Sequence, residues 1–275
     1  MELLRRAAVA GSWYPGVASQ LSTEVDRYLA DARVDSVPPL RAVVAPHAGL
    51  MYSGPVAAWS YQAARPTPYR TIVMVGPSHY VPFHGVSIWP RGAWETPFGP
   101  VAVDESMAAA ILAGGPAEIS ERPDAHDREH SLELQLPFVA HLWPGAQIVP
   151  LVMGQQTRAT SFALGDALAA AVAGNTPDEV LLVASSDLSH YEDARTALAM
   201  DAVVTQHVEA FDPEGLMTAL EREPRHACGG GPIVAVLRAA RQLGANHARL
   251  LRYADSGDVS GDKSSVVGYM AAAIW

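Results

Sequence analysis

Short apolar segments alternate with longer Ala-rich segments along most of this 275-residue chain. The apolar segments are bounded by Gly, Pro, Ser or Asp and are too short for buried helices, which favours buried β-strands. They cover residues 41–45, 71–75, 146–152, 180–184 and 266–273. The Ala-rich segments have helical spacing and cover residues 18–32, 105–113, 161–173, 196–210, 213–221 and 233–243. The alternation predicts one α/β domain over residues 1–275, with a central, largely parallel sheet flanked by helices.

The composition excludes several classes of protein. Apolar residues make up 49% of the chain and charged residues 17%, which is enough apolar material for a large core and excludes a disordered protein. The net charge of −10, with Lys263 as the sole lysine, argues against binding to nucleic acid or to an anionic membrane. No stretch approaches the roughly 18 apolar residues that span a bilayer. The sole cysteine, Cys228, excludes an intramolecular disulfide, and we expect a cytoplasmic protein.

Three of the predicted strands lead directly into a polar motif that contains a histidine. His47 lies in PHAG, His79 in GPSH and His190 in SSDLSH. Because ligands of α/β sheets collect at the carboxyl ends of the strands, these imidazoles are expected to lie close together. Each could also be an ordinary hydrogen-bonded loop residue. For His47 and His79 we favour a metal site, since imidazole suits Zn, Cu and Fe alike; the spacing alone does not choose a third ligand.

Two further motifs offer candidate functional groups. Cys228 precedes three glycines and a helix-like segment, so a helix N-terminus is expected to lower the pKa of its thiol. A buried free cysteine in a Gly-rich turn is the alternative. Asp187 and His190 lie three residues apart. His190 is a candidate acid–base group oriented by Asp187 or another carboxylate, whereas Asp187 is equally suited to cap a helix.

Other segments are less specific. His126, His130 and Glu133 superficially resemble a zinc motif, but the metalloprotease pattern needs Glu directly after the first histidine. We therefore expect Glu129 and His130 to open a helix near the site, in contact with substrate or behind the metal ligands, and His126 to lie on the surface. Residues 89–100 are turn-rich and predict a hairpin. The Asp-rich loop 255–262 lacks the alternate spacing of a calcium-binding loop.

Six motifs in order resemble the Memo family, which is similar in fold to the class III extradiol ring-cleaving dioxygenases. They are GSWY at 11–14, APHAG at 45–49, GPSH at 76–79, EHS at 129–131 with LP at 136–137, SSD at 185–187 with His190, and CG at 228–229 with PI at 232–233. Single motifs of this length would carry little weight. Together they extend over nearly the whole chain.

The resemblance implies roles for individual residues. His47, His79 and Cys228 match the metal-binding set of the family, and His190, with Asp187 beside it, matches a catalytic acid–base histidine of the related dioxygenases. It also implies pocket-lining aromatic rings at Trp13 and Tyr52. The dioxygenases hold iron with two histidines and a carboxylate, whereas a thiolate here would favour softer metals such as Cu(I) or Zn.

We therefore expect one metal ion, Fe(II) first with Cu or Zn as alternatives, in a dioxygenase-like enzyme that acts on a small molecule. A non-catalytic metal-binding or adaptor protein and a zinc-dependent hydrolase are the other hypotheses. The resemblance further implies a pathway link to radical-SAM and AMMECR-type proteins.

Overall fold

The computed structural model describes residues 3–114 and 118–275. Its strands are β1 (Leu4–Arg5), β2 (Ala42–Ala45), β3 (Thr71–Pro77), β4 (Val86–Ile88), β5 (Ala93–Trp94), β6 (Val101–Ala102), β7 (Ile119–Ser120), β8 (Gln147–Met153), β9 (Val180–Ser185), β10 (His190–Glu192), β11 (Ala248–Asp255) and β12 (Val266–Ile274). Its helices are α1 (Ala18–Asp31), α2 (Leu50–Ala64), α3 (Glu105–Gly114), α4 (Leu136–Leu142), α5 (Arg158–Val172), α6 (Ala194–Glu209), α7 (Pro213–Arg222), α8 (Gly230–Gln242) and α9 (Gly257–Ser260). Short 3-10 turns lie at Pro123–Ala125, Glu133–Gln135 and Pro224–His226.

The main sheet has the strand order β10-β12-β2-β9-β3-β8-β4-β7, and β11 pairs with β12. Its central strands β2, β9, β3 and β8 are parallel, whereas β12 and β4 pair antiparallel with β2 and β8. The predicted α/β class with a largely parallel sheet is therefore confirmed. The antiparallel strand β11 was not predicted, because its half-buried sequence mixes arginines with apolar residues instead of forming a continuous apolar run.

Helices cover both faces of the sheet, as the alternating side chains of the central strands require. Val44 and Val75 point into a core formed with α5 and α8, whereas Val43 and Met74 point into a core formed with α1, α2 and α4. Helix α2 was missed in the sequence because it contains Gly54 and Pro55. A Cβ at position 54 would lie 2.7 Å from the Tyr28 ring, so glycine allows α1 and α2 to pack closely.

A small second sheet joins the N-terminus to the turn-rich segment. The predicted hairpin forms from β5 and β6, and β1 adds to it in parallel with β5. This pairing buries Arg5, whose guanidinium lies over the Trp94 ring and pairs with the buried Glu133. Across the described part of the chain, every helix is too short or too polar to traverse a bilayer.

Candidate metal centre

Three histidines meet at the carboxyl edge of the parallel strands. His47 follows β2 and His79 follows β3, while His130 comes from the loop that precedes α4. One ring nitrogen of each lies within 4.8 Å of one ring nitrogen of the other two, so the group could hold a metal ion. The adjacency of β2, β9 and β3 in the sheet brings these chain segments together.

The orientation of His47 is set by a buried chain of hydrogen bonds. The Ser185 hydroxyl donates its single proton to the Ser131 carbonyl at 2.6 Å and accepts from Gln135 Nε2 at 2.8 Å. It can therefore only accept from His47 Nδ1, which lies 2.8 Å away. His47 Nε2 is left with a free lone pair, and burial lowers the pKa of the ring. His47 is therefore a neutral imidazole of the kind that a metal requires.

The Glu129 carboxylate orients the His79 ring. It accepts from the His79 backbone at 2.6 Å and from His79 Nδ1 at 2.8 Å, so Nε2 of this partly exposed ring is free. Burial alone would raise the pKa of Glu129, but the hydrogen bonds from His79 and from backbone amides hold it at about 2. Of the two positions expected for Glu129, the structure has the one behind a candidate metal ligand: the carboxylate is bonded to His79 and is not among the described residues that line the pocket.

His130 is the ligand candidate that sequence reasoning placed with the substrate-binding residues. Its ring stacks on His79 with centroids 4.4 Å apart, and the tilted Trp13 ring also contacts it, with centroids 4.4 Å apart. Burial and the nearby His79 lower the pKa of His130 to about 4, so the ring is neutral at pH 7. Its Nδ1 atom is buried and has no hydrogen-bond partner within the described residues. This nitrogen lies 3.6 Å from a carboxylate oxygen of Glu129, so the ring could offer its other nitrogen, Nε2, to a metal.

Cys228 lies beside this group. Its sulfur is 3.3 Å from His47 Nε2, close to the roughly 3.5 Å expected of sulfur and nitrogen atoms that share one tetrahedral ion. Burial and the neighbouring Asp187 raise the pKa of the thiol, where a lowered value was expected. The expected lowering by the helix N-terminus is absent, because two amides at the start of α8 are bonded to other groups: Gly229 donates to Ser186 and Gly231 to Gln156. Cys228 as a ligand stays a prediction, because the three mutually close donors are all histidines.

Asp187 and His190 lie on the same pocket but do not form the expected pair. Asp187 Oδ1 accepts from the backbone of His47 at 2.7 Å, and the segment after β9 leads into β10 instead of a capped helix. His190 Nδ1 donates to the Leu188 carbonyl at 2.8 Å, so a backbone group takes the place expected of a carboxylate. Of the two ring nitrogens, Nε2 is consequently the one that can accept a proton. The buried Asp201, which the sequence gave no reason to single out, fixes the neighbouring Ser189 amide at 2.8 Å.

An open pocket of about 530 Å³ lies at this site. His47, His79, His130, Asp187 and His190 all reach its wall. Trp13 and Tyr52 also line it, in the positions implied by the family resemblance. The size is suitable for a small organic molecule.

His126 lies away from this pocket and is fully buried, which corrects its expected surface position. Its Nε2 atom bonds to Ser87 Oγ at 2.9 Å, and its ring packs against Trp89 and Trp94. The backbone carbonyl of His126 accepts two hydrogen bonds from Arg5. The three residues of the H-x-x-x-H-x-x-E pattern therefore have different roles. His126 is a structural histidine, His130 is a candidate metal ligand, and Glu133 belongs to a buried ion pair.

A family model described as "Memo-like protein" matches residues 5–273. The chain belongs to the Memo family. A MEMO1 family protein from Ignicoccus hospitalis is 39% identical over 280 residues, covering 98% of each chain. Another from Thermotoga maritima is 38% identical over 282 residues, covering 98% of this chain and 99% of the relative.

The solved structures include a protein with the same fold as this Memo-family chain. It is the uncharacterized protein JW3007 from Escherichia coli K12, with a TM-score of 0.56 and 15% identity. The match covers 84% of this chain and 99% of that one. At this identity the likeness extends to the fold alone.

The role of Glu129 in this Memo-family protein can be tested directly. We expect Glu129→Gln to weaken metal binding roughly 10- to 100-fold, because an amide holds the His79 ring less firmly than a carboxylate does. Competition with a chromogenic chelator measures the change. The control is Glu121→Gln, which alters an exposed carboxylate paired with Arg91. Equal metal affinities of the two variants would show that Glu129 does not support metal binding.

Proposed function

We propose that this protein is a metal-dependent, dioxygenase-like enzyme that uses Fe(II) and acts on a small oxygen-bearing molecule. The observation that carries the proposal is the set of three mutually close imidazoles on the wall of an open pocket, with a fourth histidine facing the same space. Copper and zinc are the alternative metals, since imidazole binds all three. The family resemblance favours iron and oxygen chemistry over hydrolysis.

The residues present fit a bound metal. His47 and His79 would supply Nε2 atoms whose direction is fixed by Ser185 and Glu129. Either His130 or Cys228 would complete the set. When bound, iron would supply Lewis acidity and one-electron chemistry toward oxygen.

His190 is the proposed acid–base residue. Its Nδ1–H is committed to the Leu188 carbonyl, so Nε2 can take a proton from a substrate hydroxyl and later return it. Asp201 holds the preceding residue in place through the Ser189 amide. Trp13 and Tyr52 would bind the flat face of a substrate by stacking.

The proposal is tested by loading the protein with Fe(II) under nitrogen, adding a panel of catechols and then admitting air. We expect substrate-dependent oxygen uptake together with ring-opened absorbance. His190→Ala should lower the rate roughly 10²- to 10⁴-fold while the metal content stays constant. His84→Ala, which alters an exposed histidine outside the described pocket lining, is the matched control.

Two results would count against the proposal. Tight metal binding without oxygen uptake across the whole panel would favour a non-catalytic metal-binding protein. Unchanged turnover in His190→Ala would remove the proposed base.

A further inference from the structure

The electrostatic character of the pocket restricts what it can bind. None of the described residues that line it is a lysine or an arginine, and its one carboxyl group belongs to Asp187. Arg128, whose guanidinium lies 5.2 Å from the Tyr80 ring, is outside the described pocket lining. The chain as a whole carries a net charge of −10. Away from the metal, an acidic substituent on a bound ligand would therefore lose water without gaining a lysine or arginine as its partner.

Aromatic side chains surround the same space. Trp13 is 38% exposed and packs on His130, while Tyr52 lies on the wall formed by α2. Tyr191 completes the set and lies beside the His190 ring, with centroids 5.6 Å apart. Aromatic faces bind flat rings and also attract cations, because the face of the ring is electron-rich.

The backbone conformation of Tyr191 is unusual. It has φ of +65°, a left-handed conformation that side chains with a Cβ rarely adopt. The side chain is 78% exposed, so the strain is not offset by burial. It coincides with an irregularity in the pairing of β10 with β12. Strain of this kind at the rim of a pocket points to a functional role.

We propose that the pocket binds an uncharged or cationic aromatic molecule, stacked among Trp13, Tyr52 and Tyr191, and excludes molecules that carry an additional acidic group. This inference rests on the proposed function, from which we take the catechol ring as the aromatic part of the ligand. It goes further by specifying the charge of the substituent and by assigning Tyr191 as a residue that contacts the ring.

Three probes with the same dihydroxyphenyl ring test the charge preference: 4-methylcatechol, dopamine and 3,4-dihydroxyphenylacetic acid. Their dissociation constants are measured by calorimetry on the whole protein, with and without bound Zn(II). Zn(II) is redox-inert, so the result does not depend on whether the iron enzyme turns over. We expect the neutral and cationic probes to bind similarly and the acid to bind at least about tenfold more weakly. Equal or tighter binding of the acid would overturn the proposal, whatever the outcome of the oxygen-uptake experiment.

A gain of acid binding tests the cause of the exclusion. Met51 is 55% exposed on the pocket lining, so Met51→Arg adds a cation there without disturbing the core. We expect this variant to bind the acid about tenfold more tightly than the unmodified protein does. Leu198→Arg, at a 54% exposed position outside the described lining, controls for net charge. Equal gains in both variants would show that the pocket itself does not discriminate.

A substitution of Tyr191 separates a binding role from a structural one. Asn tolerates the left-handed conformation, so Tyr191→Asn should leave the melting temperature unchanged or raise it. The same variant should bind 4-methylcatechol roughly two- to tenfold more weakly, because one stacking face is lost. Unchanged affinity would remove Tyr191 from the binding site. A lowered melting temperature would show that the strained tyrosine serves the fold instead.

Discussion

Replacing His47 with alanine is expected to weaken metal binding more than about 100-fold. Loss of a hydrogen-bond partner behind a ligand already costs 10- to 100-fold, and loss of the ligand itself costs more. His47 is central because its ring faces the other two histidines and its Nε2 atom also contacts Cys228. Chelator competition measures the affinity, and circular dichroism checks the fold.

A second variant, His79→Ala, tests whether the loss in His47→Ala reflects a missing ligand or a disturbed protein interior. The His79 side chain is partly exposed, so its removal leaves the buried hydrogen-bond chain behind His47 intact. The two variants should lose affinity to a similar degree. His207→Ala, which removes a half-buried imidazole from α6, should bind metal normally. Retention of full affinity in His79→Ala would mean that the ion is bound elsewhere.

The second large effect concerns stability: Glu133→Ala is expected to lower the free energy of unfolding by about 3–5 kcal/mol. Arg5 and Glu133 are both buried, and the Glu133 carboxylate also accepts from two backbone amides and the Tyr14 hydroxyl. The substitution leaves a buried guanidinium without a counter-charge. Urea unfolding monitored by fluorescence measures the change.

Two comparisons make the stability prediction specific. Glu121→Ala breaks an exposed pair with Arg91 and should cost less than about 1 kcal/mol. The double variant Arg5→Met, Glu133→Gln should recover part of the loss, because no buried charge remains. If Glu133→Ala costs no more than Glu121→Ala, the buried pair does not hold the N-terminal segment in place.

The sequence was sufficient to predict the edge of the sheet at which the site lies. A buried parallel strand ends at a definite edge, so His47 and His79 could be placed together from the motifs that follow β2 and β3. The groups that orient them carry a weaker signal. Ser185 ends an apolar strand and Gln135 interrupts an apolar segment, and a polar residue in such a position requires a buried partner.

Other features depend on contacts between distant parts of the chain. Arg5 and Glu133 are 128 residues apart, and neither lies in a motif that indicates burial. The pKa of Cys228 is raised by burial and by the neighbouring Asp187, which spacing does not reveal. His130 stacks on His79 only because Gly76 lets the 129–131 segment approach β3: a Cβ there would lie 2.7 Å from Ser131 Oγ.

The most direct test of the metal site is an X-ray absorption spectrum of the protein loaded with Fe(II) under nitrogen, with the metal content of the same sample. We predict one ion per chain whose spectrum contains scattering from at least two imidazole rings, with nitrogen atoms at roughly 2.0–2.2 Å. A sulfur atom at about 2.3 Å would identify Cys228 as the third ligand, and its absence would favour His130. A spectrum that lacks imidazole scattering would contradict the placement of the metal between His47 and His79.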